Sequence, residues 1–352
     1  MVLRSPLCTF GLTVLLEHAR IRELVAARYL TETRHPEADL YLYNYTPRTQ
    51  YAHYWTPETC ACRGLILDSK GQVVARPFPK FFELEENDTL PEDEPFEVYE
   101  KLDGSLVILY FHAGCPALAT RSSFTSRQAR SATALLHELY AEAIPRLDGR
   151  LTYLFEFIHP DNRIVVDYGE RRELVLLAAI ETASGNELPP PAIGFPTVRR
   201  IEGIRSLTEL RALEDDRAEG YVIRFASGKR VKVKFAAYRR IHRKLTRTSA
   251  LTLWDRLRTG QSFDDLLADT PPRFRAWVAQ TAEQLLDRYR AIETRARKEF
   301  RVFAERRVTA EYFRGCAEPT VLFAMLDGKD YTEEIWRRVR PTGAQPFLNE
   351  AG

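Results

Sequence analysis

The sequence has no uninterrupted apolar stretch near the roughly 18 residues of a membrane-spanning helix, so none is expected. Cysteine is scarce: five in 352 residues, Cys8, Cys60, Cys62, Cys115 and Cys316. The number is odd, Cys60-Ala-Cys62 is not a CxxC, and no second pair stands nearby to complete a zinc site. This excludes a disulfide framework and reads as free thiols in a reducing compartment. There is no repeat of fixed period and no low-complexity tract. Net charge is nearly absent, with 51 Lys and Arg against 49 Asp and Glu. An apolar-leaning run from Leu7 to Leu16 follows Arg4, but Glu17-His18-Ala19-Arg20 offers no small-residue cleavage site, so a cytoplasmic protein is expected.

What remains is an ordinary globular composition, 45% hydrophobic and 28% charged. At roughly 100–200 residues per domain the length predicts two domains. The small net charge conceals an asymmetry. From Arg239 onward there are 22 basic and 16 acidic residues, and before it 29 and 33. A basic module after a slightly acidic one is compatible with a nucleic-acid partner.

Pattern divides the chain at the same place. Apolar spacing predicts a helix over 18–31. Strand signals follow: a hairpin over 64–68 and 73–75, then 96–101, 106–111, 153–158, 174–180, 221–225 and 230–235. Helices are expected over 126–144 and 207–213, the latter opened by the capping box Ser206-Leu207-Thr208-Glu209. Beyond about Tyr238 strand signals stop. A helix over 249–259 ends at Gly260, Ser262-Phe263-Asp264-Asp265 can cap another, and a long helical stretch runs from Pro272 to about Arg307. Three shorter helical segments lead to Val339.

The chemistry concentrates in Lys101-Leu102-Asp103-Gly104-Ser105 and its companions: Phe155-Glu156-Phe157, Glu219-Gly220-Tyr221-Val222 and Lys232-Val233-Lys234 downstream, Arg63-Gly64 and Lys80-Phe81-Phe82 upstream. A lysine beside a strand end can act as an amine nucleophile once its pKa falls from the usual ~10.4. Lys232 and Lys234 alternate along a strand, so both reach one face, which suits a triphosphate. They are also expected to disfavour a proton on Lys101. Gly104 is expected to allow a tight turn with unusual backbone angles. Glu156 and Glu219 sit in apolar strand contexts and need a partner, such as a divalent metal or a ribose hydroxyl. Each feature alone has a plainer explanation. Lys-x-Lys can be a solvated sheet face, the two glutamates can pair with arginines, and Asp-Gly is a common hairpin turn. Their joint order within about 130 residues favours nucleotidyl transfer.

With these residues in hand, the sequence resembles the covalent lysyl-nucleotidyltransferase superfamily, and within it the ATP-dependent RNA ligases of the phage RNA ligase 1 type. The lysine motif, Thr120-Arg121-Ser122-Ser123, Arg63-Gly64-Leu65-Ile66 and Lys80-Phe81-Phe82 carry the likeness over about residues 40–240. The resemblance implies an α+β nucleotidyltransferase (adenylation) domain over 1–240, of antiparallel sheets with flanking helices; the all-helical domain over 241–352 is a candidate for RNA binding through its basic clusters, Arg239 to Arg247 and Arg288 to Arg307. The resemblance also implies a ligase that joins RNA 5′-phosphate and 3′-hydroxyl ends, for RNA repair, with an end-healing kinase or phosphatase as a candidate partner. ATP would be the substrate and Mg2+ (or Mn2+) the metal. Lys101 would be the nucleophile, with Lys232 and Lys234 on the α-phosphate. Arg63 would contact ribose or phosphate, and Lys80 beside Phe82 the triphosphate. Glu156, Glu219 and Asp103 would hold the metal, with Glu156 also near the ribose. Leu177 and Val222 would sandwich the adenine. Arg121 stands where the family shows lysine. Tyr45, His53 and His159 lie near the motifs without an assigned role. The alternatives are a GTP-using capping-type enzyme, a DNA ligase, or an RNA-binding module that has lost catalysis. The helical region after 240 counts against the first two, which usually carry an OB-fold there.

Overall fold

The computed structural model describes residues 17–87, 90–91 and 94–341. The run Leu7–Leu16 and Cys8 lie outside them. The chain forms two compact units, one through Arg240 and one from Ile241.

The first unit is α+β with three sheets. Its strands are β1 (Leu30–Arg34), β2 (Leu40–Tyr45), β3 (Arg63–Asp68), β4 (Val73–Ala75), β5 (Phe82–Glu83), β6 (Phe96–Lys101) and β7 (Ser105–His112). They continue with β8 (Cys115–Thr120), β9 (Leu151–Ile158), β10 (Glu173–Glu181), β11 (Glu187–Leu188), β12 (Arg200–Ile201), β13 (Gly220–Phe225) and β14 (Arg230–Lys234). The orders are β1-β2-β3-β4, β11-β10-β9-β7-β8 and β12-β6-β13-β14-β5. Pairing is antiparallel throughout except β14 with β5.

Strand β9 shows why the layers form. Tyr153, Phe155 and Phe157 point to one face and pack with Ala132, Leu135 and Leu136 of helix Arg127–Leu139. Leu154 faces the other way, into a core shared with Leu42 and Ile66 of the first sheet. Both faces are therefore covered, and the strand is apolar on both. Glu156 is its one charge. In the third sheet, Val98, Ile223, Phe225 and Val231 bury one face against Leu207 and Leu210 of helix Leu207–Ala212. That leaves its opposite face to carry lysines.

Several expectations are corrected. The first helix ends at Ala26, not near residue 31. Arg28 then takes a φ of 60°, and β1 begins at Leu30. Helix 127–139 stops short of 144. The capping box at Ser206 is half formed: its hydroxyl accepts from the Glu209 amide, but the Glu209 carboxylate accepts from the Arg205 amide.

The second unit is helical: Ala250–Thr259, Asp264–Leu267, Pro272–Glu299, Arg306–Arg314, Pro319–Leu326 and Thr332–Val339. Ser249 and Thr252 form a reciprocal cap, and Gly260 ends the helix in a left-handed conformation. The long helix stops at Glu299 rather than near Arg307. There the Tyr312 hydroxyl donates to the Glu299 carbonyl at 2.9 Å, and Phe300 packs on Phe313. A tertiary contact thus ends a helix that no Gly or Pro punctuates. Among the described residues no helix is long and apolar enough to cross a membrane.

Candidate functional site

The site grows from the register of three neighbouring strands. Gly220 of β13 lies opposite Lys101 of β6 on one side and Lys234 of β14 on the other. Two residues on, Val222 lies between Tyr99 and Lys232. Side chains across a pair and two apart share a face, so Lys101, Lys232 and Lys234 project together. A Cβ at position 220 would stand 1.9 Å from the Val233 carbonyl oxygen, and φ is 148°. Glycine alone lets the strands close here.

Glu219, just before that glycine, is only 3% exposed. Its carboxylate bridges the two amines, at 2.9 Å from Lys101 Nζ and 2.8 Å from Lys234 Nζ. Burial alone would raise the Glu219 pKa, but the two ammonium groups outweigh it and hold it below the ordinary range. Burial alone would lower Lys101, yet Glu219 and Glu156 prevail and hold it above the usual lysine value. This corrects the expectation that neighbouring cations depress Lys101. The depressed lysine is Lys232, pushed down to about 7 by burial and then by Lys80, Lys101, Lys234 and Arg63.

The remaining cations stand against aromatic rings. Lys80 Nζ lies 5.4 Å from the Trp55 ring, 5.8 Å from Tyr45 and 5.2 Å from Phe82. Its backbone amide donates to the Cys60 carbonyl. Lys232 lies 5.8 Å from Phe81, and Arg63 lies 5.9 Å from the same ring. Rings bury the stems and favour the charge without neutralising it. Arg121 Nη1 donates to the Tyr45 hydroxyl at 3.2 Å. Burial raises the Tyr45 pKa, but Lys80, Arg121 and Arg63 prevail and bring it below that of an ordinary phenol. Tyr45 and Trp55 are therefore members of the site that the motifs did not assign. The signal was the aromatic run Tyr41 to Trp55 upstream of Arg63.

Glu156 is pushed up to about 7 by burial, against the pull of Lys101. One of its oxygens accepts from the Gly104 amide at 3.0 Å. Gly104 does not have a positive φ. Its requirement is closeness instead, since a Cβ would meet the Phe157 carbonyl oxygen at 2.5 Å.

Asp103, 3% exposed, has both carboxylate oxygens engaged. One accepts from the amides of Val165 and Val166, each at 2.7 Å, and the other from the Tyr238 hydroxyl at 2.7 Å. The Asp103 amide donates to the Tyr168 hydroxyl at 2.9 Å. Among the described residues no group of three His, Cys, Asp or Glu is arranged as a metal cage. Magnesium usually takes one or two carboxylates and completes its shell from phosphates and water. Glu156 fits that donor set, with one oxygen accepting from the Gly104 amide, and Glu219 fits it once its ion pair with Lys101 opens. Asp103, with its oxygens already taken, fits it poorly.

Leu177 is the residue at a bulge in β10 and packs in one cluster with Tyr99, the cross-strand neighbour of Val222. Both aliphatic side chains are half-buried. His53 is exposed in a turn with φ 49°. His159 stacks on Phe157 and its Nδ1 accepts from the Asp161 amide. Cys60 and Cys62 are buried in the core beneath β2 and β3 and form no disulfide.

A half-buried amine on a strand end, surrounded by an excess of cations and two carboxylates, defines a site able to hold a polyphosphate and present a nucleophile to it. The family model described as RNA ligase matches residues 61–238, and the chain belongs to that family. A "Putative RNA ligase" of Thermovibrio ammonificans is 32% identical over 53% of this chain and 54% of its own length. A "Putative bifunctional polynucleotide kinase/RNA ligase" of Autographa californica nuclear polyhedrosis virus is 26% identical over 67% of this chain and 38% of its own. The chain thus spans about half or less of the curated relatives it matches. A solved archaeal ATP-dependent RNA ligase superposes with a TM-score of 0.44 at 16% identity, covering 91% of this chain and 94% of that one.

Proposed function

We propose that this protein is an ATP-dependent RNA ligase that joins 5′-phosphate and 3′-hydroxyl RNA ends through a lysyl-AMP at Lys101 and an RNA-adenylate. The observation that carries the reading is the Lys101–Glu219–Lys234 bridge beside Lys232, Lys80 and Arg63. It combines one candidate nucleophile with cations in excess of what the carboxylates neutralise.

The residues divide the work as follows. Lys80, Lys232 and Lys234 bind the triphosphate, and charge building on its oxygens in the transition state meets fixed cations. Arg63 contacts ribose or phosphate, Glu156 the ribose, and Leu177 and Val222 flank the adenine. The resting ion pair stores Lys101 as an ammonium, which is not nucleophilic. Release from Glu219 and loss of a proton leave a neutral amine. Its nitrogen then bonds to the α-phosphorus, and pyrophosphate departs with the electrons of the broken bond. When bound, magnesium offsets phosphate charge, and Glu156 and Glu219 are the residues to hold it. Asp103 anchors the nucleophile loop. The AMP then passes to an RNA 5′-phosphate, and a 3′-hydroxyl completes the seal.

Residues 1–240 are the adenylation domain in this reading, and 241–352 an RNA-binding helical domain in a cytoplasmic RNA-repair enzyme. The name of the viral relative, which couples a kinase to a ligase, supports an end-healing partner. Incubation with α-labelled ATP or GTP and magnesium tests the core claim. A denaturation-stable AMP adduct mapping to Lys101 is expected. Labelling by GTP alone would point to a capping-type enzyme, and no adduct would remove the reading.

A further inference from the structure

Beside the nucleophile loop lies a cavity of about 300 Å³ that the reaction as described leaves unused. Asp103 and Gly104 form one wall, and the segment from Ile158 to Glu170 forms the rest. That segment is tied to the loop at several points. Asp103 accepts from Val165 and Val166, and Tyr168 accepts from the Asp103 amide. Ser105 Oγ lies 3.2 Å from Asn162 Oδ1, and Asn162 Nδ2 donates to the Phe157 carbonyl at 3.0 Å. The cavity is therefore fixed relative to the nucleophile loop.

Its charge is opposite to that of the triphosphate cluster. Arg163 is its one arginine or lysine, and Asp167 neutralises it at 2.6 Å. Both oxygens of Asp103 are engaged, so Glu170 is the lining carboxylate with no ion pair among the described residues, and the lining keeps an acidic excess. Such a lining repels a phosphate and accepts hydrogen bonds from hydroxyl groups. The His159 ring, stacked on Phe157 with centroids 5.6 Å apart, adds a flat surface. The volume lies at the small end of ligand sites, ~300–1,000 Å³, which suits a single nucleoside.

We propose that this cavity seats the 3′-terminal nucleoside of the acceptor RNA, with its base against His159 and its ribose hydroxyls toward Glu170. The proposal rests on the ligase reading and names the substrate group that one part of the site selects. In the sealing step the 3′-oxygen bonds to the 5′-phosphorus of the adenylated strand. The bond from that phosphorus to AMP breaks, AMP leaves with its electron pair, and the hydroxyl proton passes to solvent.

The test separates this step from the first. Sealing is measured without ATP, using a chemically 5′-adenylated donor RNA and acceptor strands ending in a ribo- or a 2′-deoxynucleotide. His159→Ala and Glu170→Gln are each expected to raise the KM for acceptor about tenfold, the loss expected of one contact to a charged or stacked group. The KM for adenylated donor and the yield of Lys101 adduct from ATP are expected to stay at wild-type levels, the latter also reporting correct folding. Glu170→Gln should also narrow the preference for a ribo- over a 2′-deoxy-terminated acceptor. Unchanged acceptor KM in both variants overturns the proposal. So does a parallel fall in adduct formation, which would make the segment a support of the loop only. Absence of adduct in the wild-type protein would instead remove the ligase reading itself.

Discussion

In the helical unit Arg256 pairs with Asp265, Arg258 with Asp255 and Glu333, Arg297 with Glu293, Arg306 with Asp327 and Arg337 with Glu334. Around Lys101 the use of charge is different. Among the described residues no carboxylate forms an ion pair with Lys80, Lys232, Arg63 or Arg121, although burial penalises Lys232 and Arg63. Even in the region with the larger net charge, many cations are thus held in ion pairs within the fold. The difference separates cations that complete a fold from cations that await an anion. It also narrows what the basic C-terminal third offers to RNA. Arg239 is held by Glu83 and Glu85, and Lys244 donates to the carbonyls of Asp265 and Ala268.

Four measurements would break or sharpen this contrast. Lys101→Ala should abolish the AMP adduct, with little change in thermal midpoint, because Glu219 keeps Lys234 as partner; mass spectrometry and a melting curve read both. Lys232→Met should slow adduct formation on the order of 100-fold, as for loss of one preorganised donor to a developing oxyanion. The same change should leave the melting temperature equal or higher, since it removes a cation that burial disfavours. A large drop in stability would mean that Lys232 serves the fold, and the contrast would fail. Titration with ATP by calorimetry should show proton uptake above pH 7. There Lys232 is neutral in the empty site, and a bound phosphate restores its charge. Affinity should therefore weaken as pH rises past about 7, by at most about tenfold per unit. Finally, Arg297→Ala should leave the melting temperature unchanged, as is usual for an exposed i,i+4 pair.

Most of the site was legible because its chemistry is local in sequence. Lys101, Glu156, Lys232 and Lys234 each stand in a short strand whose alternation fixes their face, and Glu219 stands one residue before such a strand. What could not be read is register. Nothing local says that Gly220 falls opposite both Lys101 and Lys234, and that pairing converts an expected activating field into an ion pair. The anchoring role of Asp103 was hidden for the same reason, since its partners Val165, Val166 and Tyr238 lie 62 to 135 positions away. Strand β1, Leu-Thr-Glu-Thr-Arg, was missed because it is mostly polar and lies at a sheet edge. Strand β8, Cys-Pro-Ala-Leu-Ala-Thr, was missed because Pro and Ala are poor strand formers. The helices from Ala250 onward were read well in number, while Ala236–Arg247, which runs into the unit, was not read as a helix. The long helix was overextended because the contact that ends it, Tyr312 on Glu299, is tertiary.

Gly220 also bears on how this protein can vary. Even a methyl group there would wedge the lysine-bearing strands apart, so no path of single substitutions through this position keeps the pair of amines together. In a saturation library, codon 220 should return glycine alone. Gly149, whose absent side chain would meet nothing within 4 Å and whose φ is not positive, should accept many residues. The least conspicuous atom count in the sheet thereby sets its strictest evolutionary boundary.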